Sequence, residues 1–121
     1  MKTIIAGSRN VTNYDVVSLA VEKSGFAITT VLSGGASGVD GLGEQWAARN
    51  GVPVEIHKAD WEKYGRAAGP IRNGQMAMAA EALVAVWDGK SRGTANMIAS
   101  ARRRGLKVFV WRTDESEDSN L

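Results

Sequence analysis

The chain has 121 residues, 44% hydrophobic and 23% charged, a length that suits one hydrophobic core and a composition far from disordered or fibrous extremes. It holds no cysteine and a single histidine, His57, which excludes disulfide frameworks, thiolate zinc sites and cysteine nucleophiles and leaves no metal centre expected. Net charge is +2, yet all 15 basic residues and all but four of the 13 acidic ones precede Thr113, so the body is markedly basic and suits a phosphate-bearing or nucleic-acid partner.

Residues 2–7 form a short apolar run ending in glycine, 16–21 are apolar at helical spacing, and 27–32 are rich in β-branched side chains. That order predicts strand, helix, strand. Thr12 with Asp15 offers a capping box for the helix, and Gly25 sits where it would stop. After Ser33-Gly34-Gly35-Ala36-Ser37-Gly38, a helix is expected over 39–49, with Val39, Leu42, Trp46 and Ala47 on one stripe and Asn50-Gly51 closing it. A third strand follows over 53–56. Residues 58–69 keep no sustained period and read as loop, ending in Gly69-Pro70, where proline suits the first turn of a helix running to about Glu81.

The nearly continuous apolar run 82–87 is the mark of a strand buried on both faces. A polar, glycine-bearing loop over 88–94 precedes a helix that turns Met97, Ile98 and Ala101 inward and ends in Arg102-Arg103-Arg104, where cations match the backbone dipole. The last strand is expected over 107–111. From Thr113 the chain is polar and acidic, and residues 113–121 are expected to form a disordered tail beyond a binding domain over 1–112. No stretch reaches the ~20 apolar residues of a membrane span, and the opening run is too short for a signal peptide, so a cytoplasmic protein without membrane partners is expected.

Strands and helices alternate throughout, which predicts an α/β fold: a single Rossmann-like three-layer sandwich around a five-stranded, mostly parallel sheet in the order 3-2-1-4-5. Ligands of such sheets sit beyond the carboxyl ends of the strands where the order reverses, here between strands 1 and 4. Three strand-to-helix turns should gather at that edge: Gly7-Ser8-Arg9, the stretch from Ser33 to Asp40, and the stretch from Asp88 to Thr94. Their glycines and hydroxyls let backbone N–H groups approach an anion without a Cβ in the way.

Candidate ligand-binding residues are therefore Gly7, Ser8 and Arg9; Ser33, Gly34, Gly35, Ser37, Gly38 and Asp40; and Asp88, Ser91, Arg92, Gly93 and Thr94. Arg9 and Arg92 can hold phosphate oxygens in a bidentate way. Asp40 and Glu44 lie one turn apart, where a carboxylate could accept from a ribose hydroxyl or, for Asp40, simply stabilise the helix start. Arg72 and Asn73 fall early in their helix, an odd place for arginine if only dipole matching mattered. Asp60, Trp61 and Tyr64 either wall a base or sugar or pack locally. Trp46, Trp87 and Trp111 read as core or interface. Should the protein be an enzyme, Asp40, Glu44, Arg72 and Asp88 are the catalytic candidates.

The stretches Ser33 to Asp40, Ala59-Asp60-Trp61, Ala68 to Asn73 and Trp87 to Thr94 together resemble the YspA-like family of bacteria and phages. That family belongs to the SLOG superfamily of Rossmann-like domains, beside the Lonely-guy phosphoribohydrolases, the DNA-processing protein DprA, molybdenum-cofactor carriers and nucleotide sensors. The resemblance implies a nucleotide or nucleotide-derived ligand and no certain cofactor beyond it. The phosphoribohydrolases pair an arginine-lysine-x-x-methionine helix with a proline-glycine-glycine-x-glycine-threonine loop and a following glutamate. Arg72, Met76, Gly93 and Thr94 match that pattern, whereas Asn73 replaces the lysine, Arg92 and its neighbours the double glycine, and Ala95, Asn96 and Met97 stand where the glutamate is expected.

The leading expectation is a nucleotide-binding module that senses or sequesters its ligand, with N-glycosidic hydrolysis of nucleoside monophosphates as the alternative. Single-stranded nucleic-acid binding ranks third, because no clear series of exposed aromatics accompanies the basic residues. A homo-oligomer is compatible with several tryptophans on a small doubly wound sheet.

Overall fold

The structure, a computed structural model, describes residues 1–114. Five strands, β1 (Lys2–Gly7), β2 (Thr30–Ser33), β3 (Val54–Ile56), β4 (Ala82–Trp87) and β5 (Lys107–Arg112), pair side by side in the order β3-β2-β1-β4-β5. Every pairing is parallel. The helices are α1 (Tyr14–Ser24), α2 (Val39–Arg49), α3 (Trp61–Tyr64), α4 (Ala68–Ala79) and α5 (Arg92–Arg103), with a 3-10 turn at Gly65–Ala67 between α3 and α4.

Both faces of the sheet are covered, and the alternation of side chains across a strand sorts the core into two halves. Ile5, Val84 and Val86 face one way and meet Val17, Ala20 and Val21 of α1 and Val39, Leu42 and Ala47 of α2. Ile4, Leu83 and Ala85 face the other way and meet Met76 and Ala77 of α4 and Met97, Ile98 and Ala101 of α5. β1 and β4 lie at the centre, which is why 82–87 carries no polar residue. Trp111 is buried in the first half, and Trp46 packs against it. Trp87 packs on the second.

Several local expectations need correction. α1 is capped by Asn13, whose side chain accepts from the Asp15 N–H at 2.9 Å, not by Thr12. The helix begins at Tyr14, which makes Asn13 the capping position, and Asn13 has the extended conformation a cap needs, at φ −90° and ψ 109°. β2 begins at Thr30 rather than Ala27, because its pairing with β1 starts at Lys2 and Thr30. Residues 58–69 are not plain loop: α3 forms on an Asp60 cap, and α4 begins at Ala68, ahead of Gly69-Pro70. α4 stops at Ala79, after which Ala80 turns extended and Glu81 joins the sheet margin through Lys2. α5 begins at Arg92, so Arg92, Gly93 and Thr94 form its first turn instead of the preceding loop. β5 reaches Arg112, one residue further than expected. Of the expected acidic tail, Thr113 is tied to the Trp87 carbonyl at 2.9 Å and Asp114 to Arg112, while residues 115–121 lie outside the described residues.

Candidate functional site

In a parallel sheet every crossover helix starts at the same edge, so the beginnings of α1, α2 and α5 share the edge where β1 and β4 end. A cleft of about 550 Å³ opens there. Gly7, Ser8, Arg9 and Asn10 from the end of β1 line it, facing Asp88 and Ser91 after β4. The first turn of α5 adds Arg92, Gly93 and Thr94, and α4 adds Gly69, Pro70, Arg72, Asn73 and Met76. Ala36 and Asp40 close it on the β2 side and Trp61 at the α3 side.

The expected residues thus divide. Gly7, Ser8, Arg9, Asp40, Arg72, Asn73, Asp88, Ser91, Arg92, Gly93 and Thr94 surround one cleft. Ser33, Gly34, Gly35, Ser37, Gly38 and Glu44 are not among its lining residues, and their bonds account for most of them. The Ser33 hydroxyl donates to Glu44 at 2.7 Å and accepts the Gly35 N–H at 3.1 Å, so both side chains serve the turn. Gly38 adopts φ 75°, and a Cβ there would come within 2.5 Å of the backbone at Ser8 and Arg9. Only glycine lets the two loops lie together, an approach sealed by the Val39 N–H donating to the Ser8 carbonyl at 3.3 Å. Gly34 has a similar reason: its missing Cβ leaves room for the Arg72 guanidinium and the Asp40 carboxylate.

Arg72 spans from α4 to that loop. Its Nη1 donates to the Gly34 carbonyl at 2.8 Å and its Nε to the Asn73 side chain at 3.0 Å. Asn73 in turn donates to Asn96 at 3.0 Å and to the Gly93 carbonyl at 3.3 Å, joining α4 to α5. Desolvation in this half-buried position, with a smaller contribution from nearby Arg9, lowers the Arg72 pKa, and Asp40 opposes the shift. Asp40 is 5% exposed. Burial raises its pKa to about 6, against the pull of the Ala36 N–H, Arg72 and Arg9 and with a further push from Glu44. Its carboxylate accepts the Ala36 N–H at 3.2 Å.

Asp88 is the opposite case. Its Oδ1 accepts the N–H groups of Ser91 at 2.8 Å and Lys90 at 2.9 Å, and these bonds hold its carboxyl below the usual range. It stays ionised near neutrality and shapes the loop, while its own N–H donates to the Ser8 hydroxyl at 3.1 Å. Asp88 also holds the N–H of Ser91, the residue before α5, but the first turn of the helix itself receives no side-chain cap. Ser91 is the N-cap residue, yet its side chain caps no helix N–H and instead accepts from the Thr94 hydroxyl at 3.2 Å. No acid stands in the first turn, and Arg92 does. A helix start with unclaimed N–H donors and an arginine is poised for an anion.

Asn10, Ala36 and Asn96 also line the cleft without having been expected there as ligand contacts. Ala36 lies inside the glycine-rich turn already singled out, though its own side chain carries no binding chemistry, and Asn10 follows the Gly7-Ser8-Arg9 turn with no local pattern to mark it. Asn96 could have been found by helical spacing, being one turn beyond Arg92 on α5. Among the described residues no group of acidic or histidine side chains is arranged to hold a metal ion, and no helix is long and apolar enough to cross a membrane.

Comparison with known proteins agrees with this architecture. The fold is similar to that of DNA processing protein A (DprA) from Streptococcus pneumoniae, with a TM-score of 0.68 at 18% identity over 90% of this chain. The chain spans about half of that protein, 49% of its length. In sequence it is 33% identical over 118 residues to the Gene 61 protein of Mycobacterium phage D29, covering 89% of this chain and 94% of the phage protein. Residues 1–64 match the YspA, cpYpsA-related SLOG family. With just over half of the chain matched and a relative similar along nearly its whole length, this protein belongs to that family.

Proposed function

We propose that the protein binds a nucleotide or nucleotide-derived small molecule in the cleft between β1 and β4, with the phosphate at the start of α5. The observation that carries this reading is the uncapped first turn of α5, which brings Arg92, Gly93 and Thr94 to the cleft without any acid. Arg9 and Arg72 line the same space, so three guanidinium groups meet two carboxylates, one of which, Asp40, is disfavoured as a charge by burial. With a pKa of about 6, Asp40 is largely ionised above neutral pH and suited to accept from a ribose hydroxyl. The role is that of a sensor or sequestering module.

A second reading, N-glycosidic hydrolysis of nucleoside monophosphates, is favoured by one observation. A buried carboxyl with a pKa of about 6 can give and take a proton near neutrality, as a general acid or base must. Against it stands the pair Asn73 and Asn96, bonded to each other at 3.0 Å. They occupy the region where the resemblance to phosphoribohydrolases leads one to expect a lysine and a glutamate, and a neutral pair supplies no acid. Nucleic-acid binding draws on the DNA-processing role that DprA's name records and on the basic cleft.

Native mass spectrometry of the freshly purified protein, with analysis of the molecules released on denaturation, tests the proposal. A nucleotide-sized adduct that is lost in the double variant Arg72→Ala/Arg92→Ala supports binding. Release of free base from nucleoside monophosphates, abolished by Asp40→Asn, would favour the hydrolase. Oligonucleotide binding that weakens steeply with salt would favour nucleic acid.

A further inference from the structure

We infer that the indole of Trp61 is the stacking platform for the base of the bound nucleotide, so that the ligand class is a nucleoside phosphate rather than a bare sugar phosphate or pyrophosphate. This rests on the phosphate reading above.

The four tryptophans have different fates. Trp111 is buried, Trp46 packs against the α1–α2 half of the core, and Trp87 is occupied on several sides. The Trp87 Nε1 donates to the Ser91 carbonyl at 3.0 Å, and the Arg112 guanidinium lies 5.0 Å from its ring centre. Trp61 alone of these is 54% exposed, and it belongs to neither half of the core. An indole left this far in water forgoes the burial that normally places tryptophan inside.

Its position is nevertheless fixed. Asp60 caps the turn that carries it, its side chain accepting the Lys63 N–H at 3.1 Å and its carbonyl accepting the Tyr64 N–H at 3.0 Å. The far edge of the indole lies over Gly69, where an added Cβ would sit 3.5 Å from Cη2. Trp61 thus packs its edge on α4 at ordinary contact distance while lining the cleft. The α3–α4 wall supplies Trp61, Gly69, Pro70 and Met76 as an apolar patch beside Arg72 and Asn73, whereas the loop after β1 and the first turn of α5 supply Arg9 and Arg92.

A cleft of about 550 Å³ lies within the range that encloses a whole small molecule, roughly 300–1,000 Å³, so an anion site alone leaves most of it unused. A flat aromatic group against the apolar wall, joined by a sugar to phosphate at the cationic wall, satisfies both chemistries at once. Nucleobases stack on aromatic side chains with little regard to sequence, since each has a π-face.

The test is calorimetric titration of the wild type, Trp61→Ala and Trp61→Phe with the common ribonucleoside 5′-monophosphates, ribose 5-phosphate and inorganic phosphate. The wild type is expected to bind at least one nucleoside monophosphate roughly 10-fold or more tighter than ribose 5-phosphate. Trp61→Ala should erase that margin with ribose 5-phosphate affinity unchanged, and Trp61→Phe should keep most of it. Ribose 5-phosphate binding as tightly as every nucleotide, or a margin that survives in Trp61→Ala, would overturn the base platform and leave the phosphate reading standing. Failure of every probe to bind would overturn both.

Discussion

Two helix starts at the same edge of the sheet are built on opposite plans. α1 begins with a side-chain cap from Asn13 and an acid, Asp15, in its first turn, the arrangement that satisfies free N–H groups and complements the helix dipole. α5 begins without a side-chain cap or an acid and carries Arg92 in the first turn. α1 carries both its cap and its acid; α5 has an acid only before it, Asp88 on the Ser91 N–H, and its first turn opens on the cleft. The start of α2 is intermediate, with Gly38 as a cap that makes no side-chain bond and Asp40 buried in the first turn. The two helix starts that reach the cleft thus lack the side-chain N-cap bond that α1 has.

The largest test of that contrast concerns Asp40. Its carboxyl pKa is raised from 3.8 to about 6, so between those values the native state holds a proton that the unfolded chain has lost. Stability therefore falls as pH rises through this window, and above it the burial of the charge costs on the order of 3 kcal/mol. Asp40→Asn should be more stable than wild type at pH 7.5, by up to about 3 kcal/mol, with the difference gone near pH 3.5. Urea denaturation at both pH values measures it. A variant no more stable than wild type at pH 7.5 would mean that Asp40 is an ordinary helix-start acid like Asp15.

Next in size is Arg92→Glu. If α5 is left open for phosphate, affinity for a nucleoside monophosphate should fall by roughly 10- to 100-fold, as expected for loss of a charge-assisted contact. Thermal stability should stay level or rise by a few tenths of a kcal/mol, because the acid now suits the dipole. Affinity measured by calorimetry that is unaltered would break the comparison at its functional end.

At the architectural end, Asn13→Ala should cost about 1 kcal/mol of stability and leave ligand affinity unchanged. Denaturant unfolding beside the same titration checks both halves. The smallest effect is expected of Ser91→Ala, below about 0.5 kcal/mol, because its hydroxyl caps no helix N–H although it stands at the same position relative to α5 as Asn13 does to α1. Equal losses in the two variants would show that the helix starts are alike after all.

The alternation of strands and helices, the order of the sheet and the edge at which a site would form were legible in the sequence, because each rests on local signals. The apolar run at β4, the stripe of Val39, Leu42 and Ala47 and the stops at Gly25 and Gly51 are set by side-chain period and by positive φ. Arg9, Arg92 and their neighbours could be gathered around one cleft from chain order alone, since parallel topology sends every strand-to-helix turn to one edge, whereas Arg72 stood out only by its place early in a helix. What the tertiary structure decided were the choices that neighbours in space make: Asn13 over Thr12 as a cap, Arg92 rather than Ala95 as the first residue of α5, Gly38 as the seam between two loops. It also decided that Ser33 and Glu44 serve each other while Asp40 is buried beside Arg72 and Asp88 stays ionised on its own loop. A carboxylate's chemistry depends on desolvation and on charges brought from distant parts of the chain, and neither is written in the residues beside it.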